Sequence, residues 1–132
     1  MQLVKDDKNA NIEPTKAELE ILQVLWEFGP STVRFVNDKL NEKKDVNYTS
    51  TLKLMQIMAD KGIVKRDESQ MKHIYHVAED EQKTKEHLLQ KFVDSMYRGS
   101  ASNLVMQLLG NKNTSKEDLE VIKDILNKLE KE

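Results

Sequence analysis

A mainly α chain carrying one small β element is what this sequence predicts, and three observations predict it. Apolar residues recur at i, i+3 and i+7 in segment after segment of the 132 residues, the spacing of one helix face. That period gives way once, between Ile63 and Val77, to two short runs rich in β-branched and aromatic residues. Gly and Pro are scarce, at four and two, and long Val/Ile runs are absent, which argues against a large α/β sheet. The length suits one domain plus an appendage.

Residues 1–13 are expected to be a polar lead-in. The first helix follows in PTKAELEILQVLWEFGP, where Thr15 and Glu18 form a capping box. Leu19, Leu22 and Trp26 share one stripe and Ile21, Leu25 and Phe28 the next, giving a wide apolar face closed by Gly29-Pro30. Ser31 is expected to cap a second helix carrying Val33, Val36 and Leu40 on one side, and the polar run 41–45 to be a loop. A third helix, YTSTLKLMQIMADK, has Asn47 at its cap position and Gly62 at its end. Leu52, Met55 and Ala59 form its inward row, with Met58 beside them. Thr49, Lys53, Gln56 and Asp60 form a continuous polar row opposite.

IVKRD and KHIYHV then form a hairpin about Glu68-Ser69-Gln70-Met71. Three helices followed by a two-stranded ribbon make a winged helix-turn-helix. Beyond it a long helix runs from Glu81 to about Tyr97, a short helix capped by Ser102 ends near Gly110, and a last helix starts at Thr114-Ser115. Leu119, Ile122, Leu126 and Leu129 on that last helix have the 3-4-3 spacing of a coiled-coil seam. The organisation expected is a winged-helix domain over 1–78 and a helical dimerisation domain over 79–132.

Composition removes several function classes. The chain has no cysteine, so disulfides, thiolate metal sites and cysteine nucleophiles are out, and a reducing compartment fits. Neither a signal-peptide core nor a membrane-spanning window occurs in the sequence, so a cytoplasmic location is expected. His73 and His76 stand three apart on a strand and face opposite ways, so no metal site is expected. Nucleophile elbow, phosphate loop and His-Glu metal motifs are all missing. The chain is therefore read as a non-enzyme without a cofactor. Net charge is −2, but residues 31–76 hold nine Lys/Arg against six Asp/Glu and form the only basic third.

Small polar groups at the front of the third helix have two readings. One is a solvated, capped helix end. The other is a groove-reading face, because the second helix of a helix-turn-helix enters the DNA major groove with its N-terminal turns leading. Helix context favours the second. Tyr48, Thr49, Ser50, Lys53 and Ile57 are then the candidate DNA contacts, with Lys53 for a guanine edge or phosphate and Ile57 for a thymine methyl. On the wing, Lys65, Arg66, Lys72 and His73 are candidates for the DNA backbone. Leu88, Phe92 and Met96 on the long helix, with the seam of the last helix, give more apolar surface than one small neighbour covers, so an isologous homodimer is expected.

AELEILQVLW, YTSTLKLMQIMADKGIVKRD, HIYHV and GSASNLVMQLL together resemble the penicillinase repressor family, over nearly everything from Thr15 to Leu129. The resemblance implies a homodimeric winged-helix repressor on a dyad-symmetric double-stranded DNA operator, often controlling antibiotic-resistance or metal-export genes. It implies that Thr49, Ser50 and Lys53 read the groove, with Tyr48 at the phosphate boundary. Three departures stand out. The wing tip is Gln70-Met71 where many relatives carry Gly-Arg, leaving Lys72 as the substitute contact. The cysteine pairs of the copper-responsive branch are missing. Penicillinase-type relatives are inactivated by cleavage of an Asn-Phe bond, signalled by a membrane-bound sensor protease, and the bond that lines up here is Gln107–Leu108. Two rival readings are a winged-helix protein–protein module that never touches DNA and a small-molecule-responsive winged-helix regulator.

Overall fold

The computed structural model describes residues 13–130, so the expected lead-in lies outside it apart from Glu13. The described chain is mostly helical with one two-stranded antiparallel sheet, as expected. In order it forms α1 (Lys16–Phe28), α2 (Val33–Asn41), α3 (Tyr48–Lys61), β1 (Val64–Asp67), β2 (Ile74–Val77), α4 (Glu81–Met96), α5 (Ala101–Leu109) and α6 (Lys116–Glu130). Two compact units divide at Lys85/Glu86, inside α4.

In the first unit, α1 starts on the capping box. Glu18 N–H donates to Thr15 Oγ1 at 3.2 Å and Thr15 N–H donates to Glu18 Oε1 at 2.8 Å. Gly29 ends it at φ 83°, a left-handed region that disfavours a side chain. Thr32, not Ser31, caps α2. Ser31 is committed to the sheet, exchanging backbone hydrogen bonds with Tyr75 at 3.0 and 2.8 Å, and its hydroxyl donates to Gly29 O. The cap therefore falls one residue later, where Thr32 Oγ1 accepts from Phe35 N–H at 3.1 Å.

β1 and β2 pair from Val64↔Val77 to Asp67↔Ile74, and Ser31 extends the pairing on the far side of Tyr75. Tyr75 is thereby locked in the core with Ile21, Leu22, Val36, Met55, Met58 and Val64, all essentially buried. The hairpin loop is longer than expected. Lys72 and His73 lie in it rather than on β2, because Asp67 Oδ1 accepts from Ser69 N–H at 2.9 Å and turns the chain at the end of β1.

In the second unit, the chain reverses just after α4 at Arg98 and Gly99, which take φ of 52° and 82° in succession. Gly99 N–H reaches back to Val93 O at 3.0 Å. That reversal leaves Ser100 extended, so Ser100 rather than Ser102 caps α5, accepting from Asn103 N–H at 3.2 Å. Ser115 caps α6 by accepting from Asp118 N–H at 3.0 Å. Val93 is buried, but neither α5 nor α6 buries a single residue.

A candidate nucleic-acid interface

The face of α3 is built from beneath. Thr51 belongs to the hydroxyl-rich front of the helix, yet it is 1% exposed. Its hydroxyl oxygen accepts from the side-chain amide of Asn37 on α2 at 2.8 Å. The same amide donates to Val46 O at 3.0 Å, in the turn between the two helices. Asn41 completes the clamp from the exposed side: its Nδ2 donates to Val46 O at 2.8 Å and its Oδ1 accepts from Val46 N–H at 3.1 Å. Two asparagines one helical turn apart thus tie the second helix, the turn and the third helix together. A buried, satisfied polar network of this kind fixes one geometry where apolar packing tolerates several.

A second tie sits at the other end of α3. Lys61 Nζ reaches both carboxylate oxygens of Glu18 at 2.9 and 3.0 Å. Burial works against the ionisation of Glu18, but the Thr15 amide and the Lys61 ammonium outweigh it, and its pKa is lowered. Asn47 fixes the front of the helix by accepting from Ser50 N–H at 2.8 Å.

Held this way, α3 turns Thr49, Ser50, Lys53, Gln56 and Asp60 outward, all exposed. Ile57 is partly exposed on the same side, and Tyr48 stands exposed at the first position of the helix. Arg34, in the first turn of α2, lies with its guanidinium carbon 4.5 Å from the centroid of the Tyr48 ring. Within its unit the outer row is uncovered.

The wing candidates differ among themselves. Lys65, Lys72 and His73 are exposed. Arg66 is exposed but engaged: its side chain bonds the Tyr75 hydroxyl and lies 2.7 Å from Glu68, and these contacts raise its pKa further. The amide and hydroxyl of Ser69 hold the Asp67 carboxyl below the usual carboxylate range. Met71 is fully exposed at the tip. No cluster of three metal-ligating side chains occurs among the described residues, and no described helix is long and apolar enough to cross a membrane.

In the second unit the expected seam is half open. Leu88, Leu119 and Ile122 are half-buried. Phe92, Met96, Leu126 and Leu129 are exposed, Leu129 at 60%. Gln107 and Leu108 are exposed in the last turn of α5.

Sequence reasoning missed Arg34, Asn37 and Asn41, and gave Thr51 no part in the inward row. A signal for Thr51 was present, since Thr51, Met55 and Met58 follow the 4-3 spacing of a buried row. For the asparagines only their i, i+4 separation beside a polar run hinted at a shared job.

The chain resembles known proteins along most of its length. It is 24% identical over 125 residues to a penicillinase repressor of Staphylococcus aureus, covering 93% of this chain and 98% of that one. To the methicillin resistance regulatory protein MecI of Staphylococcus aureus strain N315 it is 22% identical over 120 residues, covering 91% and 98%. The corresponding protein of Mammaliicoccus sciuri is 21% identical over the same span. Residues 14–128 match the family model described as penicillinase repressor, and the chain belongs to that family.

Proposed function

We propose that the chain is a sequence-specific transcriptional repressor that binds a dyad-symmetric DNA operator as a homodimer. The observation that carries this reading is the uncovered row Thr49, Ser50, Lys53 and Ile57 on α3, held at its inner face by the Asn37–Thr51 clamp. Small hydroxyls at the front of the helix let the backbone come close to base edges, and Lys53 supplies the one long cationic reach. Tyr48 sits at the phosphate boundary. On the wing, Lys65, Lys72 and His73 are the side chains available for the backbone of the duplex, while Arg66 is engaged with Tyr75 and Glu68.

Dimerisation is supported by the second unit, whose α5 and α6 bury nothing alone. Phe92, Met96, Leu126 and Leu129 are exposed there in a single copy. A twin would cover them and set two α3 helices on half-sites one or two helical turns apart. Relatives named for penicillinase repression and methicillin resistance support a resistance gene as the class of target. Induction by a protease is part of the proposal. The Gln107–Leu108 bond lies in the last turn of α5, so local fraying would have to precede a cut.

Pull-down of genomic fragments by the full chain, with a salt titration of the captured DNA, tests the reading. Enrichment of a dyad-symmetric sequence with salt-sensitive affinity is expected. Absence of DNA capture at any salt would leave a protein–protein module as the better account. Following the chain by size during derepression tests the protease: a persistently intact chain removes it.

A further inference from the structure

We propose that Arg34, held over the Tyr48 ring, is a DNA phosphate contact at the edge of the interface; the inference rests on the DNA-binding reading above and extends it to a residue on α2. The guanidinium carbon lies over the Tyr48 ring at 4.5 Å from its centroid. One ring cannot engage all five N–H donors of the group, so donors remain for an anion. That planar fork matches two phosphate oxygens. Holding it over Tyr48 removes much of the rotational freedom that a free surface arginine gives up on binding.

Charge around the residue points the same way. Lys44 is paired with Glu20, Lys39 with Glu42, Arg66 with Glu68 and Lys61 with Glu18. Arg34 has no carboxylate partner among the described residues, although Asp38 lies one turn along the same helix. A cation oriented by an aromatic ring and left without an acid is poised for an anion from outside. Its place fits the duplex, because the first helix of a helix-turn-helix crosses the DNA backbone while the second enters the groove. Tyr48 joins the two helices at that edge.

The test uses the full chain and two duplexes: one selected by the wild-type protein from a random pool, and a scrambled version of it. Affinities are measured by fluorescence anisotropy across a salt series. Arg34→Ala is expected to lower affinity for both duplexes alike, and to reduce the slope of log K against log salt by about 0.9 per half-site. Arg34→Lys should keep most of the slope and regain part of the affinity. The urea midpoint should move only slightly, by no more than the loss of an exposed cation–π contact. An unchanged slope for Arg34→Ala, or a loss confined to the selected duplex, would overturn the proposal while leaving the DNA-binding reading intact. A wild-type protein that selects no duplex and binds neither would bring down both.

Discussion

Replacing Asn37 should damage both the stability of the chain and its aim. The side chain is 5% exposed and donates to Val46 O and Thr51 Oγ1 at 3.0 and 2.8 Å. In Asn37→Ala, Val46 O keeps Asn41 as a donor at 2.8 Å, so that loss is small. Thr51 Oγ1 loses the amide that donates to it inside the core, a penalty of about 1–3 kcal/mol. With the small cavity added, the total is about 2–4 kcal/mol. Thr51→Val removes the other partner but leaves the Asn37 amide bonded to Val46, so about 1 kcal/mol is expected. Urea unfolding followed by circular dichroism, with the double variant, closes the cycle. Coupling of about 1 kcal/mol is expected, since the two groups share one bond. In Asn37→Asp a carboxylate faces the Val46 carbonyl, which only accepts, while the Thr51 hydroxyl can turn to donate to it, so the damage is expected mainly at Val46. Destabilisation below about 0.5 kcal/mol for Asn37→Ala, or strict additivity in the cycle, would refute the clamp.

Three further outcomes follow from the geometry. Glu18 has a lowered pKa, so its pairing with Lys61 stabilises the fold above the unfolded value of about 4.5 and is lost as pH falls through the folded value. Glu18→Gln should therefore cost about 1.5–3 kcal/mol at neutral pH and progressively less in acid; a pH-independent difference in urea midpoints would contradict this. Lys53→Ala should weaken operator binding and relax sequence preference, by about 1–3 kcal/mol if the lysine meets a base, with unchanged binding at physiological salt counting against its placement. Leu126→Asp with Leu129→Asp should give monomers by sedimentation; a persistent dimer would show that the end of α6 is dispensable to the interface.

The fold was legible where one residue type has one local job. Thr15-Glu18, Asn47 and Gly62 declared the ends of α1 and α3 because capping is settled within a few residues of sequence. Ser31 and Ser102 misled for the opposite reason. Each has the chemistry of a cap, but a long-range pairing with Tyr75 claimed the first, and the reversal at Arg98-Gly99 moved the second cap to Ser100. The candidate site divides in the same way. Helical period alone turned Lys53 and Gln56 outward. It could not show that Thr51 faces Asn37, since that contact spans fourteen residues and joins two different helices.

The modest charge of the groove face bears on how such a chain would be switched. Lys53 is the only cation among the outward α3 residues Thr49, Ser50, Lys53, Gln56 and Asp60, so one copy relies on Arg34 and the wing for its other phosphate contacts, each of which contributes about 0.9 to the salt slope. Linking two copies doubles the contacts and makes the second binding step intramolecular. In such a dimer, affinity depends more steeply on the link between the copies than on any one contact. A single event that loosens the second unit would suffice to release DNA without touching α3. Leu126→Gln with Leu129→Gln adds no charge that would itself repel the duplex, so a monomer made this way should bind with about half the wild-type salt slope. A full slope retained by a demonstrated monomer would mean that one copy makes all the phosphate contacts, and induction through the dimer would lose its physical basis.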